Sequence, residues 1–366
     1  MVGEEDLAAL LAAQPELMIP GPGALTDEAR RVLAAPLLPH YGGIWPALHA
    51  EVVATLGRVL GGEDPYVLPG TGSMALDAAL FNVFRPGQRV VVPLTGYFGD
   101  RLADMARVHG LDVVGVPVPV GAPVDVDRCA GALRGGADGL LTVHVETSTG
   151  VRHPVRELAA AARSAGAAVV VDAIASAGGE RLDVEGWGID AAVTASQKGL
   201  EAPPGLGVVA LSGAGRERVL GRTDPCPSWY LDLRRWEHHR TDDAWEPHPV
   251  TMPTTALLAV LASARRILAG GVDAWVDRRA ALADRCRDGL VALGLAPVPE
   301  PGAGANLVVA AWCDDPAALA ARVAERAGVT IGRGLGPTEG RAVRIGLIGA
   351  TATEAHVDRV LAALAP

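Results

Sequence analysis

Short apolar runs alternate with stretches rich in alanine, leucine and arginine along the first 200 residues. The apolar runs lack polar alternation, which is typical of strands buried on both faces of a sheet. Five runs are predicted strands: Val90–Pro93, Asp112–Val118, Gly139–Val145, Ala168–Asp172 and Ala191–Thr194. Helical periodicity covers three segments around them: Met74–Phe84, Arg101–His109 and Val155–Ala165. The alternation predicts an α/β fold whose mostly parallel sheet carries its ligand at the edge where the strands end.

The pattern changes in the last third of the chain. A long helical stretch runs from about Pro253 to Gly289, with a break at Gly270–Gly271. Strand and helix patterns then alternate: Asn306–Trp312, Ala317–Ala327, Ala342–Ile348 and Thr353–Leu364. These segments predict a smaller C-terminal α+β domain. We expect an N-terminal arm over residues 1–20 that includes an amphipathic helix at Gly3–Gln14, a large domain over 21–270 and a small domain over 271–366.

Composition narrows the class of protein. Of 366 residues, 49% are hydrophobic and 20% charged, which is typical of a globular chain. A formal charge of −10 without a basic stripe argues against nucleic-acid binding. No apolar run approaches the roughly 20 residues of a membrane span, and the acidic start MVGEED favours a cytoplasmic protein. The four cysteines lie far apart without a CxxC pair, so we expect reduced thiols and no metal site.

Two charged residues stand at the predicted ligand edge. Lysine is rare in this chain, and Lys198 directly follows a predicted buried strand. Desolvation there would lower the pKa of its amine, as an imine-forming lysine requires, although a surface lysine in a loop is the alternative. Asp172 ends the strand AVVVD, where a carboxylate would keep a pyridine nitrogen protonated. The alternative for Asp172 is a cap at the start of a loop.

Three further motifs carry candidate groups: one precedes a predicted helix, one ends a predicted strand and one lies within a predicted strand. Gly70–Ser73 precedes a helix, whose amino end would attract a phosphate group or simply be capped. Thr95–Arg101 carries Tyr97 and Phe98, either of which would stack on a planar ring or pack in the core. Arg344 lies within an apolar strand, where it would bind a substrate carboxylate or a structural acid. Together, these features meet the needs of pyridoxal 5′-phosphate (PLP) acting on an amino acid.

At these motifs the chain resembles the class V aminotransferases of PLP fold type I, and most closely their alanine–glyoxylate / serine–pyruvate branch. The resemblance runs from about residue 20 to the C-terminus. It is carried by seven stretches: Pro20–Gly23, Gly70–Ser73, Gly96–Arg101, Thr142–Val151, Val169–Gly179, Ser196–Gly205 and Gly332–Thr351. It implies a large domain with a mostly parallel, seven-stranded type of sheet and a smaller C-terminal α+β domain.

The resemblance also implies a role for each matching residue. Lys198 would form the internal aldimine and Asp172 would pair with the pyridine nitrogen, as the two catalytic residues. The other residues implied to bind the cofactor are Thr71, Gly72, Ser73, Phe98, Thr147, Ile174, Gln197, His248 and Thr251. Arg344 would hold the substrate carboxylate, with Gly23 and Tyr41 lining the substrate pocket. The match at Thr251 implies a homodimer with shared active sites, because this residue reaches the phosphate of the neighbouring subunit.

Two cofactor positions depart from the family pattern, because Ser73 replaces a histidine and His248 replaces a tyrosine. The other departures, His40–Trp45 and Pro225–Trp236, lie in the substrate region. The implied activity is ping-pong transamination from a small amino acid, or a specialised amine, to a 2-oxo acid such as glyoxylate or pyruvate. The alternatives are a PLP lyase or other specialised PLP reaction, and a non-catalytic PLP-binding protein. A cysteine desulfurase would need a loop cysteine, which Gly332–Gly340 lacks.

Overall fold

A computed structural model of the chain describes residues 6, 9, 10 and 13–365. Most of the predicted helix Gly3–Gln14 lies outside these residues. The strands are β1 Glu16–Met18, β2 Glu63–Gly70, β3 Arg89–Leu94, β4 Asp112–Pro117, β5 Gly139–Val143, β6 Val145–Glu146, β7 Val151–Arg152, β8 Ala168–Asp172, β9 Ala191–Ala195, β10 Gly205–Leu211, β11 Val308–Trp312, β12 Val329–Arg333 and β13 Ala342–Gly346. The helices are α1 Asp27–Leu33, α2 Trp45–Leu60, α3 Gly72–Val83, α4 Tyr97–Val108, α5 Val126–Leu133, α6 Val155–Ser164, α7 Gly213–Leu220, α8 Leu233–Asp242, α9 Thr254–Leu268, α10 Val272–Ala292, α11 Pro316–Ala327 and α12 Glu354–Leu364.

A large, mostly parallel sheet confirms the predicted α/β fold. Within the described residues it has seven strands in the order β2-β10-β9-β8-β5-β3-β4. The strands β4, β3, β5, β8 and β9 run parallel to one another, and β10 runs antiparallel to both β9 and β2. Every residue of β5, β8 and β9 is buried, which requires cover on both faces of the sheet. Cover on both faces explains why these strands appear in the sequence as continuous apolar runs.

The sequence pattern did not predict β2 and β10, the two strands at one side of the large sheet. The edge strand β2 contains Pro65 and Pro69, which a pattern search treats as strand breakers. Proline is tolerated there because an edge strand leaves some of its N–H positions unpaired. The adjoining strand β10 follows the turn that contains Lys198, so this pair of strands forms one wall beside the predicted site.

The C-terminal segments form a second sheet with its own core. Its order is β1-β12-β13-β11, where β1 pairs in parallel with β12. The strand β1 belongs to the predicted N-terminal arm, so both chain ends contribute to this sheet. Helix α10 connects the two cores, since Trp275 packs in the large one and Leu282 and Cys286 pack in the small one.

Helix α4 begins earlier than the periodicity indicated. The prediction started at Arg101, whereas the helix begins at Tyr97, directly after Gly96. Gly96 has φ 137°, a conformation that L-residues rarely adopt. The first turn is therefore set by a backbone bend and by a distant carboxylate, described below, that hydrophobic periodicity does not register.

No single helix in the part of the chain that the structure describes is both long enough and apolar enough to cross a membrane. Helices α9 and α10 meet both requirements only as a pair, and this pair is bent by 88°.

Candidate active site

A cavity of about 190 Å³ opens where the parallel strands of the large sheet end. Nine of the residues assigned to the cofactor from the sequence line it. They are Thr71, Gly72, Ser73, Phe98, Thr147, Asp172, Ile174, Gln197 and Lys198. They come from five separate segments of the chain, which the ends of β2, β3, β5, β8 and β9 bring to one edge. This convergence is what the rule for ligand sites in parallel sheets predicts.

Lys198 is the only lysine in the sequence, and it is largely buried in this cavity. A tight turn after β9 holds it, in which the Glu201 N–H donates to the Lys198 carbonyl at 2.8 Å. Burial lowers the pKa of its amine to about 8, with help from the nearby Arg344 guanidinium and against the attraction of Asp172. The Nζ atom donates a hydrogen bond to the carbonyl oxygen of Pro20. About a tenth of this amine is therefore unprotonated at pH 7, far more than for an exposed lysine.

Asp172 lies at the end of β8 and is buried. Its Oδ1 accepts a hydrogen bond from the Ile174 N–H at 2.9 Å. Burial raises the pKa of this carboxyl group to about 6, because desolvation outweighs that hydrogen bond and the attraction of Lys198. A cationic ring nitrogen at this position would replace the lost solvation and keep the carboxyl group ionised.

The amino end of helix α3 forms another wall of the cavity. Thr71 caps the helix, and its hydroxyl accepts a hydrogen bond from the Met74 N–H at 3.3 Å. A Cβ atom added to Gly72 would lie 2.6 Å from Ile174 Cδ1, so the backbone approaches the cavity closely only because this residue is glycine. Among the described residues, the buried Gln197 Oε1 atom has no hydrogen-bond partner. Free helix N–H groups and hydroxyls fit a phosphate group.

Glu146 organises the wall that carries Phe98. Its carboxylate accepts hydrogen bonds from the N–H groups of Phe98 and Gly99, each at 3.0 Å. It also accepts from the hydroxyl groups of Thr95 and Ser148, at 3.2 and 2.6 Å. A buried carboxylate with several donors both satisfies the first turn of α4 and fixes the ring of Phe98 at the cavity.

Arg344 lies on β13 of the small sheet and does not line the 190 Å³ cavity. Its Nη1 donates to the Thr147 carbonyl at 3.0 Å and its Nε to the Arg333 carbonyl at 2.8 Å. Burial lowers the pKa of the guanidinium, and Glu146 counteracts this effect. Its hydrogen bonds thus go to neutral carbonyl oxygens, which leaves its charge for a carboxylate ligand.

Gly23 lies beside the lysine turn. Its N–H donates to the Gln197 carbonyl at 3.1 Å. A Cβ atom at Gly23 would lie 2.4 Å from Ile348 Cγ2, so a side chain at this position would push away the segment that follows β13. Gly23 therefore connects its own N-terminal loop to the lysine turn and to the segment that follows β13.

Tyr41, His248 and Thr251 do not line the cavity of their own chain. Tyr41 stacks on Trp245 with ring centroids 4.7 Å apart, and both rings are exposed, at 42% and 58%. His248 is buried, and its Nε2 accepts a hydrogen bond from Trp45 Nε1 at 2.8 Å. Thr251 is exposed.

The two segments noted as unusual in the sequence pack in different places. His40–Trp45 packs against the Trp245 segment, and the Gly42 N–H donates to the Trp245 carbonyl at 2.8 Å. In Pro225–Trp236, Tyr230 donates to the Pro69 carbonyl at 2.8 Å and Trp236 is buried in the large core. This second segment packs behind β2 and lines no part of the cavity.

Two charged residues of the site were not singled out from the sequence. Arg101 lines the cavity, and Glu146 supports it. Both lie in motifs noted above, TGYFGDR and TVHVETSTGV. A charged residue with no assigned role inside such a motif was the signal that could have identified them. Among the described residues, no group of three or more histidine, cysteine or acidic side chains is arranged to hold a metal ion.

Comparisons with known proteins agree with this arrangement. The profile of the family described as aminotransferase class V matches residues 58–334. The L-aspartate–glyoxylate aminotransferase of Paracoccus denitrificans is 30% identical over 93% of this chain and 87% of its own. The 2-aminoethylphosphonate–pyruvate transaminase of Burkholderia thailandensis is 34% identical over 81% and 80%. The crystal structure of an alanine–glyoxylate aminotransferase from Nostoc sp. superimposes with a TM-score of 0.90 at 28% identity, over 96% and 94% of the chains.

Proposed function

The chain belongs to the class V aminotransferases, and on that basis we propose that it holds PLP in the cavity beside Lys198 during amino transfer. The transfer runs from an amino acid to a 2-oxo acid. One observation carries the assignment of the cofactor site. A single cavity joins the only lysine of the sequence, a buried aspartate and the amino end of a helix.

The donor groups of the cavity fit PLP. The N–H groups and hydroxyls at Thr71, Gly72 and Ser73 would hold the phosphate, with Gln197 beside them. Phe98 and Ile174, which line the cavity, would contact its ring, and Thr147 would reach its phenolic oxygen. When bound, PLP supplies an aldehyde for the amine and a protonated ring that withdraws electrons from the α-carbon of the substrate.

The protein's own residues would then bind, orient and move protons. The neutral amine of Lys198 would hold the cofactor, and once the substrate amine frees it, the Nζ atom would accept the proton of the substrate α-carbon as a general base and donate it again as a general acid. Asp172 would keep the ring nitrogen protonated. Arg344 binds the substrate carboxylate with its planar pair of N–H groups, which fixes the α-carbon near Lys198. Repeating these steps in reverse with an oxo acid gives a ping-pong cycle.

The relatives support a small acceptor and leave the donor open. Their names pair glyoxylate or pyruvate with three different donors: aspartate, alanine and 2-aminoethylphosphonate. We therefore propose glyoxylate or pyruvate as the acceptor of this enzyme. The proposed donor is a small α-amino acid, because Arg344 offers a binding group for a carboxylate.

We further propose a homodimer in which each subunit completes the site of the other. Tyr41, His248 and Thr251 match cofactor or substrate positions of the family, yet they lie away from the cavity of their own chain. The exposed, stacked rings of Tyr41 and Trp245 would be covered by a second copy. The domain boundaries near 20 and 270, and a cytoplasmic location, stay predictions.

The test is a panel of amino acids added to the PLP-loaded enzyme while its visible absorbance band is followed. A donor should bleach the band, and glyoxylate or pyruvate should restore it. Bleaching without restoration favours the lyase alternative, and no bleaching by any amine favours the non-catalytic one. The Lys198→Ala variant contains no lysine, so it should show neither the band nor turnover. Normal turnover by this variant would remove Lys198 from the mechanism.

A further inference from the structure

Glu201 lies three residues after Lys198, in an unusual backbone conformation. Its φ is +51°, a region that non-glycine residues seldom occupy because of steric strain. Glycine would adopt this conformation at lower cost. The side chain is 1% exposed, so it is a buried acid in the turn that holds the lysine. A buried acid on a strained backbone indicates that the carboxylate itself has a task.

The Glu201 carboxylate binds two guanidinium groups. Arg266 on α9 and Arg279 on α10 both donate to it, and their side chains are 35% and 9% exposed. Its Oε1 also accepts a hydrogen bond from the Gly349 N–H at 3.0 Å. Gly349 follows β13, the strand that carries Arg344.

These contacts close a loop of bonds around the lysine. The Glu201 N–H donates to the Lys198 carbonyl at 2.8 Å. Next to Gly349, the Ala350 N–H donates to the Ala24 carbonyl at 2.9 Å. The Gly23 N–H in turn donates to the carbonyl of Gln197, the residue before Lys198. The lysine turn, the N-terminal loop and the small domain are therefore connected through one carboxylate.

We propose that Glu201 is a positioning residue that fixes the lysine turn relative to the strand carrying Arg344. The proposal rests on the function given above, in which Lys198 moves the proton and Arg344 holds the substrate carboxylate. The proton is transferred only if the α-carbon, held through its carboxylate, lies within reach of Nζ. The lysine turn and β13 belong to different sheets, so a direct tie between them controls that distance. Glu201 supplies the tie through Gly349 and through Arg279.

Two variants at this position separate positioning from turn formation. Glu201→Gly relieves the strained backbone and removes the carboxylate, whereas Glu201→Gln keeps the size of the side chain and removes its charge. We expect both to bind PLP and to lose about 10- to 100-fold in kcat/KM for the amino donor, with KM raised, because a misplacement near 1 Å costs about that much. The pH midpoint of the visible PLP band should also shift, since the surroundings of Nζ change.

Asp64→Gly is the matched control for the backbone. Asp64 also has a positive φ, of 42°, but it is exposed and lies at the far end of β2. This variant should keep the kcat, KM and band midpoint of the parent enzyme. If Glu201→Gly behaves in the same way as Asp64→Gly, the carboxylate has no positioning role and the proposal is wrong.

Arg266→Gln covers the case in which the Glu201 variants do not fold. Arg266 is half-buried, so its loss should leave the protein folded while it removes one of the two cations that hold the carboxylate. We expect a smaller rise in KM and a shift of the band midpoint in the same direction. Unchanged kinetics and spectrum in a folded Arg266→Gln protein would overturn the proposal. A parent enzyme that shows no PLP band would instead contradict the proposed function.

Discussion

Two buried residues of opposite charge define the chemistry at the scale of single side chains. Burial lowers the pKa of Lys198 to about 8 and raises that of Asp172 to about 6, so the pKa values of both groups move towards neutrality. Each shift has the same cause, since desolvation penalises the charged form of either group. Arg101 and Arg344 add positive charge near the lysine and favour its neutral form. The cavity is thus suited to an amine that reacts without its proton.

The lowered pKa of Lys198 predicts how PLP attaches to the apoprotein. Only the neutral amine attacks the aldehyde, so below pH 8 the rate constant should fall about tenfold per pH unit, and above pH 8 it should level off. The rise of the visible band after rapid mixing measures this rate constant, and Lys198→Ala gives the background. A rate that climbs steadily towards pH 10 would indicate an ordinary exposed lysine and contradict the burial effect.

Helix α4 illustrates how a distant side chain sets an element of the site. Its first turn carries Phe98, yet the carboxylate that satisfies its N–H groups comes from Glu146 on β6. The same carboxylate binds the Ser148 hydroxyl, beside Thr147. The start of the helix and the position of the Phe98 ring that lines the cavity therefore depend on one buried acid.

Substituting Glu146 tests this dependence. Glu146→Gln places an NH₂ group against N–H donors, so we expect the free energy of unfolding to fall by about 3 kcal/mol, the scale of buried hydrogen bonds to a charged group. Affinity for PLP should fall as well, because Phe98 loses its fixed position. Urea unfolding and titration with PLP measure the two effects. The surface cap Asp125→Ala on α5 is the control, expected to cost about 1 kcal/mol with PLP affinity unchanged. Unchanged PLP affinity in the Gln variant would contradict the link between α4 and the site.

Whether an element is predictable from the sequence depends on whether its contacts come from its own segment or from a distant one. The apolar runs of β3, β5, β8 and β9 are recognisable in the sequence because both faces of the sheet are covered. The sequence pattern does not predict edge strand β2, because it contains two prolines. It does not predict the first turn of α4, because the carboxylate that binds its N–H groups is about 50 residues away in sequence. Periodicity records burial along one segment, and it does not record partners from another.

At the scale of the whole molecule, two subunits are expected to share each active site. The test mixes two inactive variants, Lys198→Ala and Thr251→Asp, after unfolding and refolding them together. The carboxylate of the second variant would repel the partner's phosphate. Mixed dimers would contain one site with both native residues, so activity should recover to about a quarter of the parent value. Each variant refolded alone is the control. No recovery, in a sample that sedimentation shows to be dimeric, would mean that Thr251 does not reach the partner's site.

The sequence by itself determined the alternation of elements, the family and the segments that meet at the cavity. It could do so because a buried parallel sheet imposes a local apolar pattern, and because parallel strands bring the residues that follow them to one edge. Only the tertiary structure decided that β1 joins the small sheet, that Glu146 caps α4 and that Glu201 binds Arg266 and Arg279. Those contacts join residues about 50 to more than 300 positions apart, and each is selected by the geometry of packing, which leaves no periodic trace along the chain.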